Sequence, residues 1–146
     1  GCILRYLANA YADDTFWPGD LISRTEVDRW AEWSKLNVAL RFTVPVFWRV
    51  VRTGKAEREP VAIRTAVSSL EEKLAIADAR LQSQPFIAGD NLTLADIQFG
   101  HVLFRYYDID IERSRLPSLA GYYERLKLRP AYVEHVMLNY DELRVE

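Results

Sequence analysis

Few side chains in this sequence are of the kinds that do covalent chemistry. One cysteine, Cys2, and two histidines, His101 and His135, lie far apart along the chain. A zinc site needs three or four Cys, His or carboxylate ligands on one point, so no metal site is predicted. Cys2 sits on an uncapped terminal helix, and a terminal thiol accounts for it better than a reactive one. His101 falls on an apolar helix face, which is the setting of a core histidine. Gly54-Lys55 lacks the earlier glycine of a phosphate loop, since Arg49 stands in that place. No residue is therefore assigned a catalytic role.

The sharpest local signal is Leu92-Thr93-Leu94-Ala95-Asp96-Ile97. Thr93 has the position of a helix N-cap, its oxygen facing the Asp96 N–H, while the Asp96 carboxylate returns to the Thr93 N–H. Leu92 and Ile97 have the spacing of a hydrophobic staple. Thr93 and Asp96 are thus predicted structural capping residues, and losing such a cap costs about 0.5–2 kcal/mol. Asn91-Leu92-Thr93 also matches a glycosylation acceptor, but its Thr is wanted as the cap. Ser68-x-x-Glu71 and Ser69-x-x-Glu72 have the capping spacing too, inside a continuous helix where they can cap nothing.

The elements that must position these residues read as helices throughout. Ile3, Leu4, Leu7, Ala8 and Tyr11 share one face of a first helix, and no capping residue precedes it. That uncapped start predicts a chain cut inside an element. The stretch 12–20, with its Pro18-Gly19 pair, reads as a linker. A long helix is predicted over 23–53, opened by a Ser23/Glu26 box. It carries one stripe of Val27, Trp30, Ser34 and Val38 and another of Trp33, Leu36, Leu40, Phe47 and Val51. Pro45 should kink it, and Gly54 should cap it.

A further helix over 60–83 has an apolar seam of Ile63, Val67, Leu70, Leu74, Ala77 and Leu81. Its charges Glu71, Glu72, Lys73, Asp78 and Arg80 read as a solvated face. The helix over 94–107 is apolar nearly all round, so it is predicted to be the central one. Gly100 within it would admit a close neighbour. Two short helices, over 117–128 and 130–137, complete an all-α helical bundle. No alternation of period two marks a strand.

Composition agrees with one domain in 146 residues, 49% of them hydrophobic. A net charge of -2 argues against a nucleic-acid partner. No apolar run approaches the roughly 20 residues that span a bilayer. One cysteine allows no intrachain disulfide, so a cytoplasmic location is expected.

The segment Phe86-Ile87-Ala88-Gly89-Asp90-Asn91-Leu92-Thr93-Leu94-Ala95-Asp96 resembles the capped opening of the core helix in the C-terminal domain of glutathione transferases. Leu116-Pro117-Ser118-Leu119, Tyr122-Tyr123, Leu126 and Arg129-Pro130-Ala131 are similar to that domain's following helix and its exit. Ile3-Leu4-Arg5-Tyr6-Leu7-Ala8 looks like the end of the last helix of the family's N-terminal thioredoxin-like domain. The resemblance implies that residues 1–19 are that last helix plus the linker, and that 20–146 are the helical domain.

The resemblance further implies an enzyme that conjugates or reduces electrophiles with glutathione as cosubstrate, in a homodimer. Its glutathione site and thiol-activating residue would lie on the thioredoxin-like domain, missing here, so this chain alone should be inactive. Its share would be the wall for a small electrophilic substrate, for which Glu32, Leu36, Leu40 and Arg105 are the predicted substrate-binding residues. Packing is the competing account of the leucines, and plain surface of the two charges. Helical domains of this type also serve as non-catalytic protein–protein docking modules, and that alternative stays open. Exposed apolar surface on residues 2–11 and on the long helix is expected in either case.

Overall fold

A computed structural model describes residues 1–145, and among them it contains helices and no strand. The all-α expectation holds. An isolated bridge between Phe86 and Gly89 is the nearest approach to sheet.

Helix α1 (Cys2–Tyr11) has Gly1 at its N-cap and no capping side chain. Of its predicted apolar face, Ala8 is buried and Leu4 packs against the core, while Ile3, Leu7 and Tyr11 stand exposed. The linker is well tied. Asp13 accepts the Thr15 and Phe16 N–H groups at 3.1 and 2.9 Å. Trp17 is buried and donates its indole N–H to Asn9 at 2.8 Å.

Helix α2 (Leu21–Trp33) starts two residues before the predicted point. Its cap is Asp20, whose carboxylate accepts the Ser23 N–H at 2.9 Å, and not the Ser23/Glu26 box. Glu26 is drawn away by Arg29, Arg80 and the Trp30 indole. The helix runs on without a break to residue 51, but not as uniform α-helix. A π-helical stretch (Ser34–Ala39) is followed by α3 (Leu40–Phe42), a second π-helical stretch (Thr43–Trp48) and α4 (Arg49–Val51). Pro45 lies in the second wide stretch, where its missing N–H is accommodated by the altered bonding. Gly54 does not cap in the left-handed conformation; it precedes a 3-10 turn, Lys55–Glu57, with φ -56°.

Helix α5 (Pro60–Leu81) buries Val67, Leu70, Leu74, Ala77 and Leu81 of the predicted seam, and Ile63, its first member, is only partly buried against the core. Its charges are not all solvated. Asp78 is buried and accepts the Leu119 N–H at 2.9 Å, so it caps the start of the neighbouring helix α8 (Pro117–Lys127). Glu71 accepts the Tyr106 hydroxyl at 2.9 Å and the Ser114 N–H at 2.8 Å. Arg80 reaches Glu26 at 2.9 Å and lies over the Trp30 ring.

The central helix comes in two pieces, α6 (Leu94–Gly100) and α7 (Leu103–Asp108), separated by a turn at His101-Val102. α6 packs mainly on α2 and the first π-helical stretch. A Cβ on Gly100 would stand 2.7 Å from the Leu126 side chain of α8, so the predicted close approach is real. The Tyr132 hydroxyl of α9 (Pro130–His135) donates to the Gly100 carbonyl at 2.8 Å and seals the same contact. After a 3-10 turn, Asp141–Leu143, the Val145 N–H returns to the Val51 carbonyl at 3.0 Å.

Candidate functional site

Two parallel rows on the long helix define its faces. Ser34, Val38, Phe42, Val46 and Val50 are each at most 4% exposed. Two residues out of step with them, Leu36, Leu40, Val44 and Trp48 are 53%, 60%, 53% and 41% exposed. Both rows advance by four residues. In an α-helix of 3.6 residues per turn, each such step overshoots a full turn by about 40°, so four steps rotate a row by nearly half a turn. The wider π turns take that rotation back, and the rows stay straight over 34–50. An unbroken apolar strip therefore faces outward along a helix whose other side is core.

Local side chains bond helix carbonyls along this distorted stretch. Ser34 donates to the Trp30 carbonyl at 2.7 Å, Asn37 to Trp33 at 3.2 Å and Thr43 to Ala39 at 2.9 Å. This back-bonding by short polar side chains is the usual companion of a distorted helix.

Of the four residues predicted to bind substrate, Leu36 and Leu40 lie in the outward row, not in the core. Glu32 heads the same row but is engaged. Arg5 of α1 donates to it at 2.6 Å and to Asp28 at 2.6 Å. The hydrogen bond from Arg5 holds the Glu32 carboxyl below its ordinary pKa. The cluster works as a clamp between α1 and α2. Arg105, on α7, sits at the far end of the row beside Trp48, with its guanidinium over the Phe47 and Tyr140 rings at 5.3 and 5.8 Å. The structure thus sets Glu32 and Arg105 at opposite ends of the strip, with its four apolar side chains between them.

His101 is exposed, not a core histidine, and faces the same end of the strip as Arg105. The helices around it crowd the ring although its surface reaches solvent, and that partial desolvation, with the Arg105 charge adding to it, holds its pKa below the usual value. Val44, Trp48 and Thr43 were not predicted. For Val44 and Trp48 the signal was an apolar residue at every fourth position from Leu36 on, with a mid-helix proline among them, and a 3.6-residue period hides that pattern; Thr43 carried no such signal.

Thr93 and Asp96 are 5% and 2% exposed and close the predicted capping box at the start of α6. Asp96 Oδ2 accepts the Thr93 N–H at 2.8 Å and its hydroxyl at 3.1 Å; Oδ1 accepts the Ile87 N–H and the Tyr122 hydroxyl, each at 2.9 Å. Burial outweighs these bonds and raises the Asp96 pKa above its ordinary value. The Tyr122 hydroxyl, wholly desolvated and facing a carboxylate, is pushed well above its own. Asp96 is the node that joins three segments, and nothing about it is open to a substrate. Ile97, the outer half of the expected staple, is 42% exposed.

A family model described as "Glutathione S-transferase, C-terminal domain" matches residues 56–125. The chain is 39% identical to a theta class glutathione S-transferase of Xanthomonas axonopodis pv. citri, solved with glutathione bound, at a TM-score of 0.87, covering 94% of this chain and 72% of that one. It is 26% identical over 136 residues to glutathione S-transferase GstB of Escherichia coli, covering 93% of this chain and 65% of that protein. It is also 26% identical over 133 residues to elongation factor 1-gamma of Prunus avium, covering 89% of this chain and 31% of that protein.

Proposed function

This chain belongs to the glutathione S-transferase family, and on that premise we propose that it is the helical, substrate-side domain of an enzyme that transfers glutathione to electrophiles or reduces them with it. Glutathione is held and activated by a thioredoxin-like domain joined to α1, and residues 1–19 belong with that domain. The observation that carries the proposal is the outward strip of Leu36, Leu40, Val44 and Trp48. Solvent-facing apolar side chains in one continuous line are what a wall for an apolar electrophile requires.

In the proposed conjugation, the glutathione thiolate forms a carbon–sulfur bond to the electrophile and the leaving group departs with its electron pair. A free thiol is mostly protonated near neutral pH, so activation falls to the domain that holds glutathione. The helical domain shields the reacting atoms from water and orients the electrophile against the strip. The single cysteine, exposed and unpaired, agrees with a cytoplasmic setting. Among the described residues no helix is long and apolar enough to cross a membrane.

The outer face of α1 and the start of α2 support further contacts, since Ile3, Tyr6, Tyr11, Leu21 and Ile22 are each more than half exposed. We assign this surface to the thioredoxin-like domain and to the second subunit of a homodimer. The likeness to elongation factor 1-gamma favours a second reading, a helical docking module without catalysis.

Activity separates the two. Leu40→Gln in the protein that carries this chain should lower kcat/KM for a neutral aryl halide roughly tenfold, the worth of one apolar contact of ~1.5 kcal/mol. An unchanged value would remove the strip from the substrate site. A protein inert toward every model electrophile tried would favour docking.

A further inference from the structure

The strip ends in a small cavity of about 130 Å³, lined among others by Thr43, Phe47, Trp48, His101, Arg105 and Leu143. Two of its side chains are basic and none is acidic. The space is ample for the planar end of a ligand, a group such as a carboxylate.

Arg105 is the unusual feature. Its Nε is buried and has no hydrogen-bond partner, as is also true of Arg41 and Arg125, but those two donate through a terminal nitrogen, to the Ser69 hydroxyl at 3.4 Å and the Pro85 carbonyl at 2.8 Å. The carboxylate placed to pair with it, Asp108 one turn along, is taken up by the Tyr140 hydroxyl and by Arg144 at 3.6 Å. What holds Arg105 is aromatic: the Phe47 and Tyr140 rings fix its guanidinium plane without satisfying its donors. Other arginines here contrast with it. Arg113 donates to the carbonyls of Tyr106 and Ile111 at 2.8 and 2.9 Å, and Arg5 and Arg80 are paired with carboxylates. A guanidinium presents up to five N–H donors in a fork that matches a planar anion, and a partly buried one without partners has donors open to an acceptor. The Thr43 hydroxyl spends its hydrogen on the Ala39 carbonyl, and the exposed His101 ring stands at the same cavity. Outside the mouth, Arg52 lies over the Trp48 ring at 5.1 Å and adds positive charge.

We propose that this cavity is an anion subsite, and that the protein's preferred electrophiles are amphiphilic: an apolar or aromatic body lies along Leu40, Val44 and Trp48, and a carboxylate or similar planar anion enters the cavity onto Arg105. The inference rests on the substrate-wall reading for its biological meaning, but the binding itself stands on the cavity alone. Arg105 is a specificity residue here and has no part in bond making.

The test uses two unreactive probes of one shape, 4-nitrobenzoate and 4-nitrobenzamide. Each is titrated into the 146-residue chain by calorimetry, with the shift of the Trp48 indole signal locating the site. A hydrogen-bonded ion contact predicts that the benzoate binds about tenfold tighter or more. Arg105→Gln should remove that preference, and Arg105→Lys, which keeps the charge without the fork, should retain part of it. Equal affinities for the two probes, no binding of either, or a preference untouched in Arg105→Gln each overturns the proposal. The wild-type comparison needs no variant, so a folding defect in Arg105→Gln does not shelter the idea. In the whole protein, turnover of 1-chloro-2,4-dinitrobenzene without preference for its carboxylate analogue would leave the transferase reading intact and remove the subsite. Tight benzoate binding with no turnover of any electrophile would do the reverse.

Discussion

Asp96→Ala is the most demanding perturbation the fold offers, because one buried carboxylate accepts four hydrogen bonds from three places in the chain. With the side chain gone, the Thr93 and Ile87 N–H groups and the Tyr122 hydroxyl lose their acceptor in a region closed to water. Each buried donor left unsatisfied costs about 1–3 kcal/mol. The Thr93 hydroxyl can turn elsewhere and is not counted. Against this, Asp96 itself resists burial as an anion, as its raised pKa records, and removing it returns part of the loss. The net expectation is a destabilisation of about 4 kcal/mol, a large share of the 5–15 kcal/mol typical of a domain. For 146 residues at ~2.1 cal/mol/K per residue, that lowers the melting temperature by about 13 °C.

Urea and thermal unfolding followed by circular dichroism read the loss directly. A double-mutant cycle with Tyr122→Phe isolates the pair, with an expected coupling of about 1–2 kcal/mol. A loss below ~1 kcal/mol for Asp96→Ala, or strict additivity with Tyr122→Phe, would falsify the view that this clasp locks the central helix.

The two rows of the long helix predict opposite responses to the same change. Phe42→Ala should cost about 3–5 kcal/mol in urea unfolding, while Leu40→Ala, two residues away, should stay within about 0.5 kcal/mol; comparable losses at both would mean the strip is packed in solution. The Arg5 clamp predicts an acid-labile α1. Because the hydrogen bond from Arg5 depresses the Glu32 pKa, its contribution is fully present above the ordinary value near 4.5 and is lost as pH falls through the lower, folded value. After correction for intrinsic rates, amide exchange in α1 should therefore accelerate as pH falls toward the folded value, having been constant from neutral pH down to about 4.5. Acceleration beginning well above that value would point to some other group.

What the sequence made legible was local. Thr93 and Asp96 are three residues apart, and the rules that join them act within one turn of helix. The apolar seam of α5 obeys an undistorted α period, so it was legible too. Asp78 and Glu71 were misread as solvated because their partners lie 41 and 43 residues away. Glu26 looked like a cap for the same reason: its decisive partner, Arg80, is 54 residues on. Such pairings exist only once the helices have packed. Arg105 was named from the resemblance alone, and its lack of a partner depends on where Tyr140 and Arg144 take Asp108.

The long helix was misread for a different cause, and that cause bears on function. Assuming 3.6 residues per turn sorts Phe47 and Val51 with Leu36 and Leu40, although the first two are core and the last two exposed. A uniform α-helix could not keep Ser34, Val38, Phe42, Val46 and Val50 all inward, since the row would rotate toward solvent before its end. The same rotation would carry Trp48 away from the line of Leu36 and away from Arg105. Two wide turns cure both problems at once, with hydroxyl and amide side chains bonding helix carbonyls and a proline standing where one donor fewer is needed. The core and the outward strip are thus consequences of one backbone distortion. Straightening the helix to improve its hydrogen bonding would break the strip and strand core side chains in water together.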